Sequence, residues 1–364
     1  MVTTPAFNPT DPARARSRAG AAAFTLVEVL VSMAILLMML LIMTQVISTT
    51  QKTWHAASAR LTQFREARNA FDTITRGLSQ ATLNPYRDFN YGSGTPGLPP
   101  GTSPLLPPIG FMRWADLGIH MDIASNVFTN FGSSNMPGHA VIFQAPLGYT
   151  AIDSYHALNS LLCVSGYFVL FGSDVDYLPT GLISRLEPRS RYRLYQYQPT
   201  TESNPVFYNK INTPATPGAW ATIDKSKMID NLGAPLYHPG AENILALVLA
   251  PSFNTGAPAG AVVALGAPTT APSQYSFNSY TDTDPAKQFH LPTSVQVVMV
   301  AMDEESASRV ALMYGTNAPS LFNATFTNPG NLDGDLRLAR LSLEKLRVNY
   351  RIFSSTVFIP AAEK

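Results

Sequence analysis

Ala23-Phe24-Thr25-Leu26-Val27-Glu28-Val29-Leu30 opens an apolar run that reaches Ile47 and contains a single charge, Glu28. A run of this length can cross a bilayer as a helix. A carboxylate inside such a helix costs about 2.5 kcal/mol or more on insertion-type scales, so Glu28 needs a partner or a route to water. The run exceeds the apolar core of a secretory signal, about 7–15 residues, and Thr44 to Lys52 carries no Ala-x-Ala cleavage pattern. It is therefore expected to persist as a transmembrane segment over 24–47. Upstream, residues 1–23 form a small, polar leader with Arg14, Arg16 and Arg18 as its basic cluster and Asp11 as its acid. Basic residues ahead of an apolar span hold that end in the cytoplasm, which places everything after about Lys52 beyond the membrane.

Working outward, no Gly or Pro interrupts the chain between Gly20 and Gly77, and Pro85 is the first proline after Pro12. Phe64, Ala67, Phe71, Ile74 and Leu78 recur at spacings of three and four, an apolar stripe on a helix. Arg60, Arg65, Glu66, Arg68, Asp72 and Arg76 take the remaining faces. One helix over 24–83 is expected, roughly 90 Å long at about 1.5 Å per residue. The simpler alternative is an anchor followed by a separate surface helix.

At these residues the chain resembles a type IV pilin-like protein with a prepilin-type N-terminal cleavage and methylation signal. The match is Phe24-Thr25-Leu26-Val27-Glu28 after a short basic leader, followed by an uncharged stretch to Ile47. The resemblance implies that a prepilin peptidase cuts between Ala23 and Phe24 and N-methylates Phe24, which makes Glu28 the fifth residue of the mature chain. It also implies that Glu28 meets the Phe24 amine of a neighbouring subunit and sets register as subunits enter a filament. An amine and a carboxylate in low dielectric attract strongly, while either alone is costly. The competing explanation is that Glu28, near the helix start, snorkels to the cytoplasmic interface. The family usually has Gly before the cut; this chain has Ala23, the smallest replacement, so slower processing is expected. More narrowly, the chain looks like protein C of the Verru-Chthon cassette and, more distantly, like the J-type minor pseudopilins of type II secretion. The segments behind this likeness are Arg68 to Asn84, Leu291 to Glu305 and Tyr350 to Ser355.

The remainder, 84–364, reads as one loop-rich head. Only 13% of residues are charged, about half the ordinary share of roughly 25%, and 29 Pro with 23 Gly take their place. Such a mix favours strands joined by irregular connections. Strands are expected over 140–145, 161–171, 191–198, 243–250, 294–301 and 349–359. Val295, Val297 and Met299 share one face of the fifth and Val298 and Val300 the other, the pattern of a central strand. Asp303 should cap a helix over 304–313 stopped by Gly315, and Asp335 one over 336–346 with Leu338, Leu341 and Leu346 inward. Two insertions, 91–108 and 251–282, are Gly/Pro-rich, and Pro251 to Tyr280 has no charge. The expected fold class is α+β: a long N-terminal helix packed on an antiparallel β-sheet head with long loops.

Few residues suggest chemistry. Gly92-Ser-Gly94-Thr-Pro-Gly97 matches a dinucleotide fingerprint by letter, but Leu98-Pro99-Pro100-Gly101 prevents the helix that would bind a pyrophosphate. Asn331-Leu-Asp333-Gly-Asp335 faintly resembles a calcium loop, yet Leu336 replaces its required Gly and Ser342 its bidentate Glu. The six histidines show no metal-ligand spacing, and the lone Cys163 sits in an apolar segment as a small buried hydrophobe. No cofactor, metal site or catalytic residue is nominated. The densest basic-aromatic stretch, Arg189, Arg191, Tyr192, Arg193 and Tyr195, could serve as a ligand-binding strand, although an ordinary strand with one wet face is the plainer reading. A net charge of +1 gives nucleic acid no general support.

The expected role is a structural minor pilin or pseudopilin-like subunit of a type IV pilus-like or type II secretion-like filament. Its partners are prepilin peptidase, inner-membrane lipid and other pilin-like subunits through the N-terminal helix. The rivals are a single-pass membrane-anchored envelope enzyme and an adhesin or DNA-binding pilin-like tip protein.

Overall fold

A computed structural model of the protein describes residues 25–91, 107–155, 158, 160–175, 181, 185, 186, 188–206, 218–229, 235–253, 275–282, 284, 287–319, 321, 322, 325, 326 and 328–363. The chain divides into two compact units, Met1–Ser58 and Ala59–Lys364. Helix α1 (Leu26–Ser79, 54 residues) runs through the boundary. It ends four residues earlier than expected, in a turn closed by Gln80 N–H to the Gly77 carbonyl. The alternative of two separate helices is thereby excluded.

In the first unit α1 is bare: Leu26 to Ile47 presents Leu, Ile, Val and Met side chains all around, each largely exposed. It is long and apolar enough to cross a membrane. Its hydroxyls are satisfied from within, Ser32 donating to the Val29 carbonyl at 2.8 Å and Thr44 to that of Leu40 at 2.8 Å. That removes most of their cost in hydrocarbon.

The second unit is an α+β head. Its strands are β1 (Pro85–Asn90), β2 (Gly110–Ala115), β3 (Ile119–Ile123), β4 (Phe128–Thr129), β5 (His139–Gly148), β6 (Leu161–Gly172), β7 (Arg191–Tyr197), β8 (Ile223–Asp224), β9 (Tyr237–Glu242), β10 (Ile244–Ser252), β11 (Phe277–Asn278), β12 (Ser294–Met302) and β13 (Tyr350–Phe358). Among the described residues its helices beyond α1 include α2 (Ala124–Val127), α3 (Glu304–Tyr314) and α4 (Leu332–Lys345). A six-stranded antiparallel sheet has the order β11-β3-β5-β6-β7-β9, and a three-stranded one the order β10-β12-β13, so β12 is central as its two apolar faces require. A β1–β2 hairpin and a short parallel β4–β8 pair complete the head.

The stripe on the distal half of α1 enters the main core. Ala67, Phe71, Ile74 and Leu78 cluster with Phe143 and Val169 of the larger sheet and with Val297, Met299 and Phe353 of the smaller. The opposite face of the larger sheet carries a second, aromatic core, where Phe128 and Phe168 lie 4.4 Å apart beside Trp220 and Met228. On the outer face of the three-stranded sheet, Leu332 and Leu336 of α4 pack with Val248, Ala250 and Val298.

Several expectations need correction. The helix α4 begins at Leu332, capped by Asn331, whose Oδ1 accepts from Gly334 N–H at 3.1 Å. Leu332, Leu336, Ala339 and Leu343 therefore form the buried stripe, while Leu338 and Leu341 are exposed. Asp335 is no cap: its carboxylate is buried and accepts from the Tyr275 hydroxyl and Asn328 N–H, both at 2.8 Å. Residues wound into a helix this way do not form the calcium loop. The strand Arg191–Tyr197 has no wet face: Tyr192 and Leu194 lie in the main core, and Tyr195 and Tyr197 lie in the aromatic core, with Arg191 of that same face bonded to Glu304 of α3. Asp303 does cap α3, accepting from Ser306 N–H at 2.9 Å, and Gly315 ends it at φ 58°. Segment 91–108 connects the two strands of the hairpin, paired from Asn90 with Gly110 to Pro85 with Ala115. Residues 92–106, with the fingerprint look-alike, and 254–274 of the second insertion lie outside the described residues.

Candidate assembly helix

The N-terminal site is built from Thr25 to Glu28. Thr25 precedes the first helical residue, and its Oγ1 accepts from Glu28 N–H at 3.3 Å. Thr25-Leu26-Val27-Glu28 is therefore a capping-box sequence, with Glu at the third helical position. A carboxylate in the first turn also meets the positive end of the helix dipole. Glu28 is exposed, as are the apolar residues that surround it. The geometry leaves the carboxylate outside the helix flank, available to a group on another molecule. Ala23 and Phe24 lie outside the described residues. The role of Thr25 was missed in the sequence, although the Ser/Thr-x-x-Glu spacing carries it.

The distal half of α1 is tied to the head by charge as well as packing. Arg60 Nε lies 3.1 Å from Asp303 Oδ2 and its Nη2 lies 2.9 Å from Glu305 Oε2. Burial opposes ionisation of Asp303, but Ser306, Asn349 and Arg60 outweigh it and hold the carboxyl below its ordinary value. One further link is the Arg351 guanidinium, 5.9 Å from the Phe64 ring and 5.4 Å from that of Phe353.

The basic-aromatic strand is internal. Arg191 and Arg193 are 4% and 2% exposed, bonded to Glu304 at 2.6 Å and Glu242 at 3.0 Å. Tyr192 and Tyr195 are buried, the former donating to the Pro319 carbonyl at 3.0 Å. Only Arg189 is largely exposed, and Asp174 lies 3.5 Å from it. With its guanidiniums committed to carboxylates, the strand offers nothing to a phosphate chain, and the ligand-binding expectation fails on burial.

The lone Cys163 is buried and burial pushes its thiol up to about 12, the state of an inert core side chain. His139 is buried; burial lowers it to about 4, and Nδ1 accepts from Leu249 N–H at 3.1 Å. Among the described residues no three His, Cys, Asp or Glu side chains gather as metal ligands.

Residues 18–44 match the prokaryotic N-terminal methylation motif. The match covers the end of the leader, Phe24, Glu28 and most of the apolar run. No curated protein sequence matches the chain. Motif, bare apolar helix and capped Glu28 together mark the N-terminus as prepilin-like, that of a prepilin-peptidase substrate with one membrane-anchoring helix, and they support a type IV pilin-like protein.

Proposed function

We propose that the protein is a minor pilin or pseudopilin-like subunit, cut between Ala23 and Phe24 and assembled into a type IV pilus-like or type II secretion-like filament. The observation that carries this reading is a single helix whose first half is bare and apolar and whose second half is the spine of a folded head. A simple anchor needs only the first half. A bare half continuous with a helix that packs into a head suits a helix that moves from lipid into a bundle of like helices. There Glu28 pairs with the methylated Phe24 amine of its neighbour, with the head on the periplasmic side. The likeness of the end of α1 and two head segments to the Verru-Chthon cassette protein C, and more distantly to J-type pseudopilins, supports a minor position.

Two measurements test it. The mature protein should give a mass beginning at N-methylated Phe24; an intact Met1 chain recovered from membranes sinks the reading. Glu28→Ala should leave membrane insertion unchanged and abolish incorporation into filaments, and undiminished incorporation refutes the pairing role.

A further inference from the structure

The β1–β2 hairpin has two unlike faces. Its even-numbered residues turn to the head: Trp114 packs 4.8 Å from Phe289, and the Tyr86 hydroxyl donates to Asp116 Oδ1 at 3.3 Å. Its odd-numbered residues form a ladder of three rungs, Arg87 opposite Arg113, Phe89 opposite Phe111, then Tyr91 beside Ile109. Phe111 and Ile109 are 71% and 74% exposed. Like charges placed directly opposite each other cost stability. Among the described residues no carboxylate is paired with either arginine: Asp88 sits on the other face and accepts from Phe89 N–H at 2.8 Å. Arg113 is lowered from its ordinary value by burial and by Arg87.

We propose that this face docks on an anionic phospholipid bilayer, with Phe89, Tyr91, Ile109 and Phe111 entering the interface and Arg87 and Arg113 holding headgroup phosphates. An apolar patch with a basic edge is what an anionic interface binds, the apolar part sinking about 5–10 Å and the cations staying with the phosphates. Single-stranded nucleic acid shares the phosphodiester but fits worse. Stacking bases need free ring faces, whereas Phe89 is stacked on Phe111 at 5.2 Å and lies 6.3 Å from Tyr91. Ile109 has no ring, and no charge lies between Asp88 and Arg113 to continue a phosphate track. A second copy of the hairpin fits no better, since a two-fold contact would set arginine against arginine. The inference is independent of filament assembly.

The test uses full-length protein held in phosphatidylcholine nanodiscs, mixed with separate vesicles and read by co-sedimentation. Capture is expected on vesicles containing about one-third phosphatidylglycerol and should weaken with salt, with little capture on pure phosphatidylcholine. Arg87→Gln with Arg113→Gln should weaken it about 30-fold, from about 1 kcal/mol per basic residue at such a surface. Phe111→Ser should weaken it about tenfold by withdrawing apolar area. Equal capture on both vesicle types, or a double variant that binds as well as wild type, overturns the proposal. So does displacement of vesicles by oligothymidylate, or a Phe111→Ser effect traced to lost self-association. An unchanged thermal unfolding midpoint shows that the variants remain folded, and the salt dependence of the wild type tests the idea without any variant.

Discussion

Arg193 shows how a residue's type misleads when its environment is unknown. In sequence it reads as a solvent-facing cation alternating with tyrosines. In the fold its Nε bonds Glu242 and its Nη1 donates to the Gly172 carbonyl at 3.0 Å, while Nη2 is buried without a hydrogen-bond partner. Periodicity could place Arg193 on a strand but could not reveal that another element supplies a carboxylate above it. Removing that carboxylate leaves a buried guanidinium unpaired, which costs more than removing the guanidinium and filling its space. Glu242→Ala is thus expected to destabilise the head by about 2 kcal/mol or more in chemical denaturation, and Arg193→Met by less. His139 sets the head's response to acid. Its folded value of about 4 lies below the ordinary 6.5, so its contribution is complete above pH 6.5 and is lost as pH falls toward 4. The loss should approach about 3 kcal/mol, and His139→Gln should flatten the stability profile over that range. Asp303, held below the ordinary carboxyl value, contributes only to losses at still lower pH. At the leader, Ala23→Gly is expected to speed maturation in a pulse-chase assay.

Elements with strong periodicity were legible. The stripe Phe64 to Leu78 predicted the buried face of α1, and the paired apolar faces of β12 predicted a central strand. Elements that break compositional rules were not. β1 begins with Pro85 and sets two adjacent charges between aromatic residues, and β9 contains Pro239 and Gly240 at the edge of its sheet, where proline is tolerated. In α4 the preference for Asp over Asn as cap shifted the assumed start and turned the wrong leucines inward. The same packing makes definite demands. Ile74 is fully buried on α1, so Ile74→Ala should cost about 2–5 kcal/mol of head stability by calorimetry. Gly138, at φ 76°, bridges to Leu247, and a Cβ there would lie 2.5 Å from the Leu247 carbonyl oxygen. Gly138→Ala should therefore cost about 2 kcal/mol or more and leave α1 untouched.

For the molecule as a whole, the prepilin-like N-terminus was more legible than the head. The methylation motif, leader charge and apolar length are local in sequence, whereas the head's two sheets depend on pairings between distant strands. Helix continuity is the property that joins the two. A proline at Ser58 should break α1 at a cost of about 3 kcal/mol to the helix while the head keeps its thermal unfolding midpoint. Filament incorporation should fall, and normal incorporation would show that an unbroken helix is dispensable.

That spine also defines a route for mechanical force. Tension applied through the membrane half reaches Ala67, Phe71, Ile74 and Leu78 along the helix axis, where it must shear many packed side chains together instead of peeling a linker away one contact at a time. Arg60, clamped by Asp303 and Glu305 just ahead of that stripe, takes the load first. On the filament reading proposed above, a chain built this way leaves the bilayer with its head still folded.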